Sequence, residues 1–294
     1  MNRHQQGYTL VELMISLLLG LMMISGFGSL FVQTQKSSAI QRSLSYMMED
    51  GRYILEVFGR ELRRSGSLRN KLTAGGGADV VFTDDVSVLG SGMNFLAGDY
   101  IMGQANTVAF NADPYDINRL ALRYQLNNIT ELAQSDPFST NSACERNLAL
   151  NAGEDPAVQK HVVTLYFYVA FDTSTNSPVL YCRAKRQNLD DPAPANNPTS
   201  TAQALVSNVQ QLLITYGVDS DFAADGAANY YVDAFNVTNW QRVVAIKLSV
   251  VLRSDDDNLT EFPVGYTIDG ISYPVTDKRL YRVFSTTIAF RNKI

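Results

Sequence analysis

From Leu13 to Val32 the chain runs twenty residues without a charged side chain. A helix needs about 20 apolar residues to cross a bilayer's hydrocarbon core, so this stretch reads as a membrane span. It limits everything else, because a helix apolar all round must find lipid or other helices to cover it. The residues before it, Met1 to Gly7, form a short polar leader with Arg3 and His4 and no apolar run of their own. A secretory signal peptide is cut after its apolar run; here the candidate cut lies before it. Glu12 stands at the entrance of the span, where a carboxylate is expensive unless something pairs with it.

The run Gly7-Tyr8-Thr9-Leu10-Val11-Glu12 resembles the class III signal of type IV prepilins and pseudopilins. The resemblance implies that a membrane prepilin peptidase cuts between Gly7 and Tyr8 and methylates the new amino terminus of Tyr8. It makes Glu12 the fifth residue of the mature chain, its carboxylate attracting the freed α-amine of Tyr8 on a neighbouring subunit. Tyr8 departs from the pattern, since most of the family has Phe there, but keeps the aromatic character. Two plainer readings stand beside it. Arg3 before the span suffices for an uncleaved signal anchor by the positive-inside rule, and Glu12 suits a helix start through the helix dipole.

The charge balance of the chain is −5 and becomes −6 without the leader, 23 basic against 29 acidic residues. No basic block occurs, which argues against direct nucleic-acid binding. The only cysteines are Cys144 and Cys182, both in the part that the leader's orientation places outside the cytoplasm. An even pair in an oxidising compartment is most simply a disulfide, worth roughly 3 to 4 kcal/mol, against two buried free thiols.

Beyond the span the helical pattern continues without proline to Arg64. Ile40, Leu44, Met47, Met48, Gly51, Ile54, Leu55, Phe58 and Leu62 recur at three- and four-residue spacing, an apolar stripe on a polar helix. Ser65-Gly66-Ser67 ends it. A helix over 8–64 spans about 85 Å, so its second half must pack on the body. Residues 65–294 read as one β-rich domain, with strands expected at Thr107–Phe110, Arg119–Leu126, His161–Phe171, Val179–Arg183, Tyr230–Phe235, Val243–Arg253 and Leu280–Arg291, and with Ala204–Tyr216 beginning as a helical or strand-like approach and ending as a strand. The fold class is α+β: a long N-terminal helix, transmembrane then amphipathic, packed on an antiparallel sheet.

The helix end Arg52 to Gly66, the Tyr216-Gly217-Val218-Asp219 turn, the strand after Trp240 with Val243-Val244-Ala245-Ile246, and the closing Arg279 to Asn292 are similar in order and spacing to PilW-type minor pilins. That resemblance implies a pilin-like fold and a non-enzymatic, low-abundance filament subunit that works with other minor pilins to initiate type IV pilus assembly. Its implied partners are the other minor pilins, the major pilin, prepilin peptidase, the inner membrane and the assembly platform. The implied location is the inner membrane with a periplasmic body before assembly, and the pilus at the cell surface afterwards. A type II secretion pseudopilin shares the signal and the helix. A tip adhesin, with recognition in the unmatched stretch 67–198, is the alternative from another class.

Catalytic parts are missing from the sequence. His4 lies in the leader, and His161 stands alone at the start of a strand, read as an edge or surface residue. No nucleophile motif, paired metal-ligand motif or phosphate loop accompanies it, so neither enzyme activity nor a cofactor is expected. The acidic run Asp219, Asp221, Asp225, Gly226 offers oxygen ligands for Ca²⁺, but the third aspartate comes two residues late for a D-x-D-x-D-G loop and no twelfth-position glutamate follows. A solvated turn is the favoured reading there.

Overall fold

The computed structural model describes residues 9–67, 82, 93–106, 117–126, 144, 148, 161–190, 198–221 and 225–290. Helix α1 covers Leu10–Arg64, 55 residues, and begins two residues inside the expected start. Thr9 caps it. Its hydroxyl accepts from Glu12 N at 3.3 Å, while Glu12 Oε2 accepts from Thr9 N and Thr9 Oγ1, each at 3.0 Å. This reciprocal pair is a capping box, which satisfies two of the helix's orphan donors. At the other end Gly66 takes a left-handed φ of 74°, and Ser65 N still donates to Glu61 O. The chain is then tied down by Gly66 N donating to Arg123 O and Ser65 Oγ to Tyr100 O.

The stripe on the second half of α1 packs as its spacing predicts. Met47, Gly51, Ile54, Phe58 and Leu62 are buried, and Ser43, Val57, Gly59 and Glu61 join them. Glu61, an acid outside the apolar stripe, lies fully buried and pairs with Arg60 at 3.0 Å and Arg64 at 3.4 Å. Arg64 in turn sits 4.1 Å over the Tyr124 ring.

The strands form two sheets and a separate hairpin. β1 (Ile101–Asn106), β2 (Ile117–Leu126), β3 (His161–Asp172), β4 (Ser177–Asn188) and β5 (Gln203–Ser207) make an antiparallel sheet in chain order. β6 (Val209–Val218), β7 (Tyr230–Val232), β8 (Val243–Arg253) and β11 (Tyr281–Ala289) make a second one, ordered β11-β8-β6-β7. β9 (Tyr266–Ile268) and β10 (Ile271–Tyr273) pair only with each other. The sequence suggests a continuous segment Ala204–Tyr216, helical or strand-like at its start and a strand at its end. Asn208 divides it at a left-handed φ of 61°, a conformation asparagine tolerates, and the chain passes there from the first sheet to the second. Two sheets therefore replace the single one expected.

The reading of β2, β3, β4, β8 and β11 as strands holds, with β4 running five residues past its expected end to Asn188. Tyr230–Phe235 is a strand only to Val232; Asp233 then caps a 3-10 turn over Ala234–Asn236. β1, β9 and β10 were missed because Ile101–Asn106 and the two three-residue strands are too short or too polar to alternate. The expected strand Thr107–Phe110 lies outside the described residues.

One apolar core joins the three layers. It contains Met47, Ile54, Phe58 and Leu62 of α1, Leu120, Leu122, Leu165, Phe167 and Leu180 of the first sheet, and Leu212, Ile214, Ile246, Leu248 and Val250 of the second. Phe58 meets Phe167 with ring centroids 4.8 Å apart. Phe284 of β11 lies so close over α1 that a Cβ at Gly51 would stand 2.5 Å from its ring carbons, which is why residue 51 carries no side chain. A smaller cluster, Val251, Tyr266 and Ile268 with Leu213 and Val283, seats the β9–β10 hairpin on the outer face of the second sheet.

Candidate functional site

The exposed half of α1 is the feature that demands a function. From Leu10 to Val32, sixteen large apolar side chains lie open, from Leu19 at 54% to Leu10 at 74%. The helix's best 18-residue window has a mean hydropathy of 2.1 and touches no other part of the protein. At about 1.5–3 kcal/mol per covered side chain, burying this surface is worth several tens of kcal/mol. A bilayer, or helices of other chains packed against it, would supply such cover. The second half of α1 is buried against the body on one face only, and Tyr46 and Tyr53 remain exposed on the other.

At the head of this surface Glu12 accepts from Thr9 in the isolated chain. The helix-start reading of Glu12 is therefore realised locally, with Thr9 as the partner that the sequence reading passed over; Thr9-x-x-Glu12 has the spacing of a capping box and was the signal available. Gly7 and Tyr8 lie outside the described residues.

Cys144 and Cys182 are joined in a disulfide, with Cα atoms 5.4 Å apart. Cys182 points from β4 into the main core and both residues are fully buried, so the bond ties residue 144 to the inner face of the first sheet. The compartment argument from the sequence is matched by the fold.

The three aspartates of the acidic turn come together despite their spacing: a carboxylate oxygen from each of Asp219, Asp221 and Asp225 lies within 4.8 Å of the others. The turn is also closed by the protein's own donors. Gly226 N donates to Asp219 Oδ2 at 2.9 Å, Asn229 Oδ1 accepts from Ser220 N and Asp221 N, and Arg242 donates to the carbonyls of Asp219 and Asp221. The Arg242 guanidinium brings positive charge to this loop, and Asp219 is buried while Asp225 is exposed.

His161 is placed differently from the reading of it as an edge or surface residue. It is fully buried in β3, with Nδ1 3.0 Å from Nη1 of the buried Arg186. A guanidinium only donates, so Nδ1 accepts and the ring proton sits on Nε2. This pair is part of the sheet interior.

Comparison with known families adds two matches. The model of the family "Prokaryotic N-terminal methylation motif" matches residues 2–28, the leader and the exposed half of α1. That of "Type IV Pilus-assembly protein W" matches residues 166–292, from the middle of β3 to just beyond β11. No curated protein and no solved structure matches the chain. Pilins are structural filament subunits, membrane-anchored before they become part of the pilus. The methylation-motif match on the open apolar helix and the PilW match across much of the sheet region that helix packs on together support a PilW-like type IV minor pilin.

Proposed function

We propose that this minor pilin helps initiate type IV pilus assembly together with other minor pilins, entering the membrane by Leu13–Val32, losing residues 1–7 to prepilin peptidase, and receiving a methyl group on Tyr8. The observation that carries the reading is the division of α1: one continuous helix whose second half is built into the body and whose first half is apolar and open over its whole circumference. Such a helix suits a subunit that must leave lipid and enter a bundle of like helices. Glu12 sets the register. On extraction its carboxylate exchanges Thr9 for the α-amine of Tyr8 on a neighbour, so that two charges are paired where water is scarce. Its partners in this reading are the other minor pilins, the major pilin and the assembly platform.

The test replaces Glu12 with Ala in cells and follows three readouts: the mature N-terminus, surface pili, and recovery of other minor pilins with this chain. Processing at Tyr8 is expected to persist while pili and co-recovery fall at least severalfold. A mature chain that still begins at Met1 overturns the processing reading; unchanged pili and partners overturn the register role.

A further inference from the structure

One part of α1 belongs to neither the apolar span nor the body. The helix is open all round up to Val32, and its burial against the body begins at Ser43. The stretch 33–42 between them, about 15 Å of helix, contains no buried residue and forms a polar collar. Lys36 and Arg42 stand exposed on it, the only charged residues between Glu12 and Glu49. Glu49 is about two turns beyond Arg42, too far along the helix to pair with it. Neither cation meets an acid of its own body among the described residues. Tyr46, one turn past Arg42 and on the same face, is exposed as well.

The fold sets a rim of opposite charge at the same height. The end of α1 is level with the start of β8, because Ser65 Oγ donates to Tyr100 O and the Tyr100 hydroxyl donates to the Val243 carbonyl. Gly51 lies against Phe284, the register partner of Val250. From residue 65 back to 51 the helix covers about 21 Å, and from Val243 to Val250 the strand covers about 23 Å. The two therefore run side by side in opposite directions. β8 ends at Arg253, so the loop after it lies past Gly51, where the burial of α1 ends and the collar begins. From Ser254 to Leu280 the chain carries six acids, Asp255, Asp256, Asp257, Glu261, Asp269 and Asp277, against Lys278 and Arg279. That balance of −4 is most of the −5 of the whole chain. Arg279 is turned inward, onto the carbonyls of Ser254 and Asp255 and onto Asp277. Asp255, Asp256, Asp257 and Glu261 are exposed, and Phe262 beside them is 65% open.

We propose that the collar of α1 docks the rim of a second copy of this chain, with Arg42 among the carboxylates of Asp255, Asp256 and Glu261 and Tyr46 against Phe262. The inference rests on the reading of Leu13–Val32 as a membrane span. A bilayer holds every inserted copy at one height, so groups that are level within one chain are level between neighbours. Collar and rim are different surfaces, which makes the contact heterologous: copies line up head to tail instead of closing a symmetric pair. Exposed ion pairs are individually weak, but confinement of both copies to one plane raises their effective concentration. Arg42, Tyr46 and Phe262 supply the arginine and aromatic content of an interface centre. Anionic lipid is the competing source of negative charge. Headgroups extend about 5–8 Å beyond the hydrocarbon core, which reaches Lys36 but leaves Arg42, about 15 Å past Val32, above them.

The experiment uses the full chain in the membrane of cells making two differently tagged copies, one with Ser38→Cys on the collar and the other with Pro263→Cys beside Phe262. Cys144 and Cys182 are joined to each other, so the introduced thiols are the free ones. Mild oxidation should give a dimer containing both tags, about fivefold or more above the dimers of either copy with itself. Arg42→Glu in the Ser38→Cys copy should lower that yield about fivefold, as should salt of about 1 M. Asp255→Arg with Asp256→Arg in the other copy should then restore at least about half of it. Retention of the native disulfide and of wild-type amounts of chain reports folding. Mixed dimers no more frequent than like dimers, a yield indifferent to Arg42→Glu in folded chain, or no recovery on the charge swap would each overturn the proposal. A yield that vanishes in reconstituted vesicles of neutral lipid would do the same, because the contact would then be made through lipid. Recovery of the chain in the soluble fraction would instead overturn the membrane-span reading, so the two failures are distinguishable.

Discussion

Glu12 has two competing partners, and its role depends on how easily it gives up the first. Thr9 holds it through two 3.0 Å bonds in the isolated chain. Losing an N-cap costs about 1 kcal/mol, small beside the cost of leaving a charge unpaired in hydrocarbon. Thr9→Val therefore separates cap from register: pili are expected to stay within about twofold of wild type, whereas Glu12→Ala removes most of them, and equal losses in counted filaments would reduce Glu12 to a capping residue. Cys182 is a simpler case. Cys182→Ser opens a loop of 38 residues and leaves a hydroxyl in the core, so thermal unfolding of the purified chain in detergent should show a loss of about 3 kcal/mol or more; an unchanged midpoint would contradict it. Cys144 and Cys182 were legible as a pair because composition allowed no other pairing. His161 was not legible, because a lone histidine in an alternating strand reads the same whether its neighbours are water or Arg186.

Among the elements, α1 was the most readable and β5–β6 the least. A 55-residue helix announces itself through an apolar run, a stripe and a Ser-Gly stop, all local properties of 3.6-residue periodicity. The contact that positions its second half is not local. Gly51 and Phe284 are 233 positions apart, and only the antiparallel register of β11 on β8 brings the ring over the helix. Gly51→Leu places a side chain where that ring stands and should cost roughly 1–3 kcal/mol by overpacking. Adding Phe284→Ala should return part of that loss, and strictly additive losses in a double-mutant cycle would show that the two positions do not meet. The division of β5 from β6 turns on Asn208, one residue inside an otherwise strand-like run, so periodicity placed the strands but not the change of sheet.

For the molecule as a whole, the single core shared by α1 and both sheets implies that the body unfolds as a unit, and its buried phenols set a limit on the alkaline side. Burial pushes Tyr100 and Tyr216 above the ordinary phenol value of 10.0, Tyr100 further through the Asp99 carboxylate. Tyr100 also donates its proton to the Val243 carbonyl. A phenol whose folded pKa is raised keeps its proton in the folded chain where the unfolded chain has lost it. Stability is thus fully present below about pH 10 and falls as pH rises beyond it. Urea midpoints between pH 8 and 11 should show this decline, with a shallower slope in Tyr100→Phe; a flat profile would contradict it. What the sequence by itself determined was whatever depends on neighbours along the chain: the membrane span, the prepilin-like signal at Gly7–Glu12, the packing stripe, most strands and the cysteine pair. What only the tertiary structure decided depends on residues distant in the chain: the two sheets, the Phe284 seat on Gly51, the gathering of Asp219, Asp221 and Asp225, and an acidic rim level with the cationic collar of α1. Net charge is a sum over the chain and carries no position, whereas the register of β11 on β8 and the seat of Phe284 on Gly51 set Asp255, Asp256 and Asp257 beside the height of Arg42.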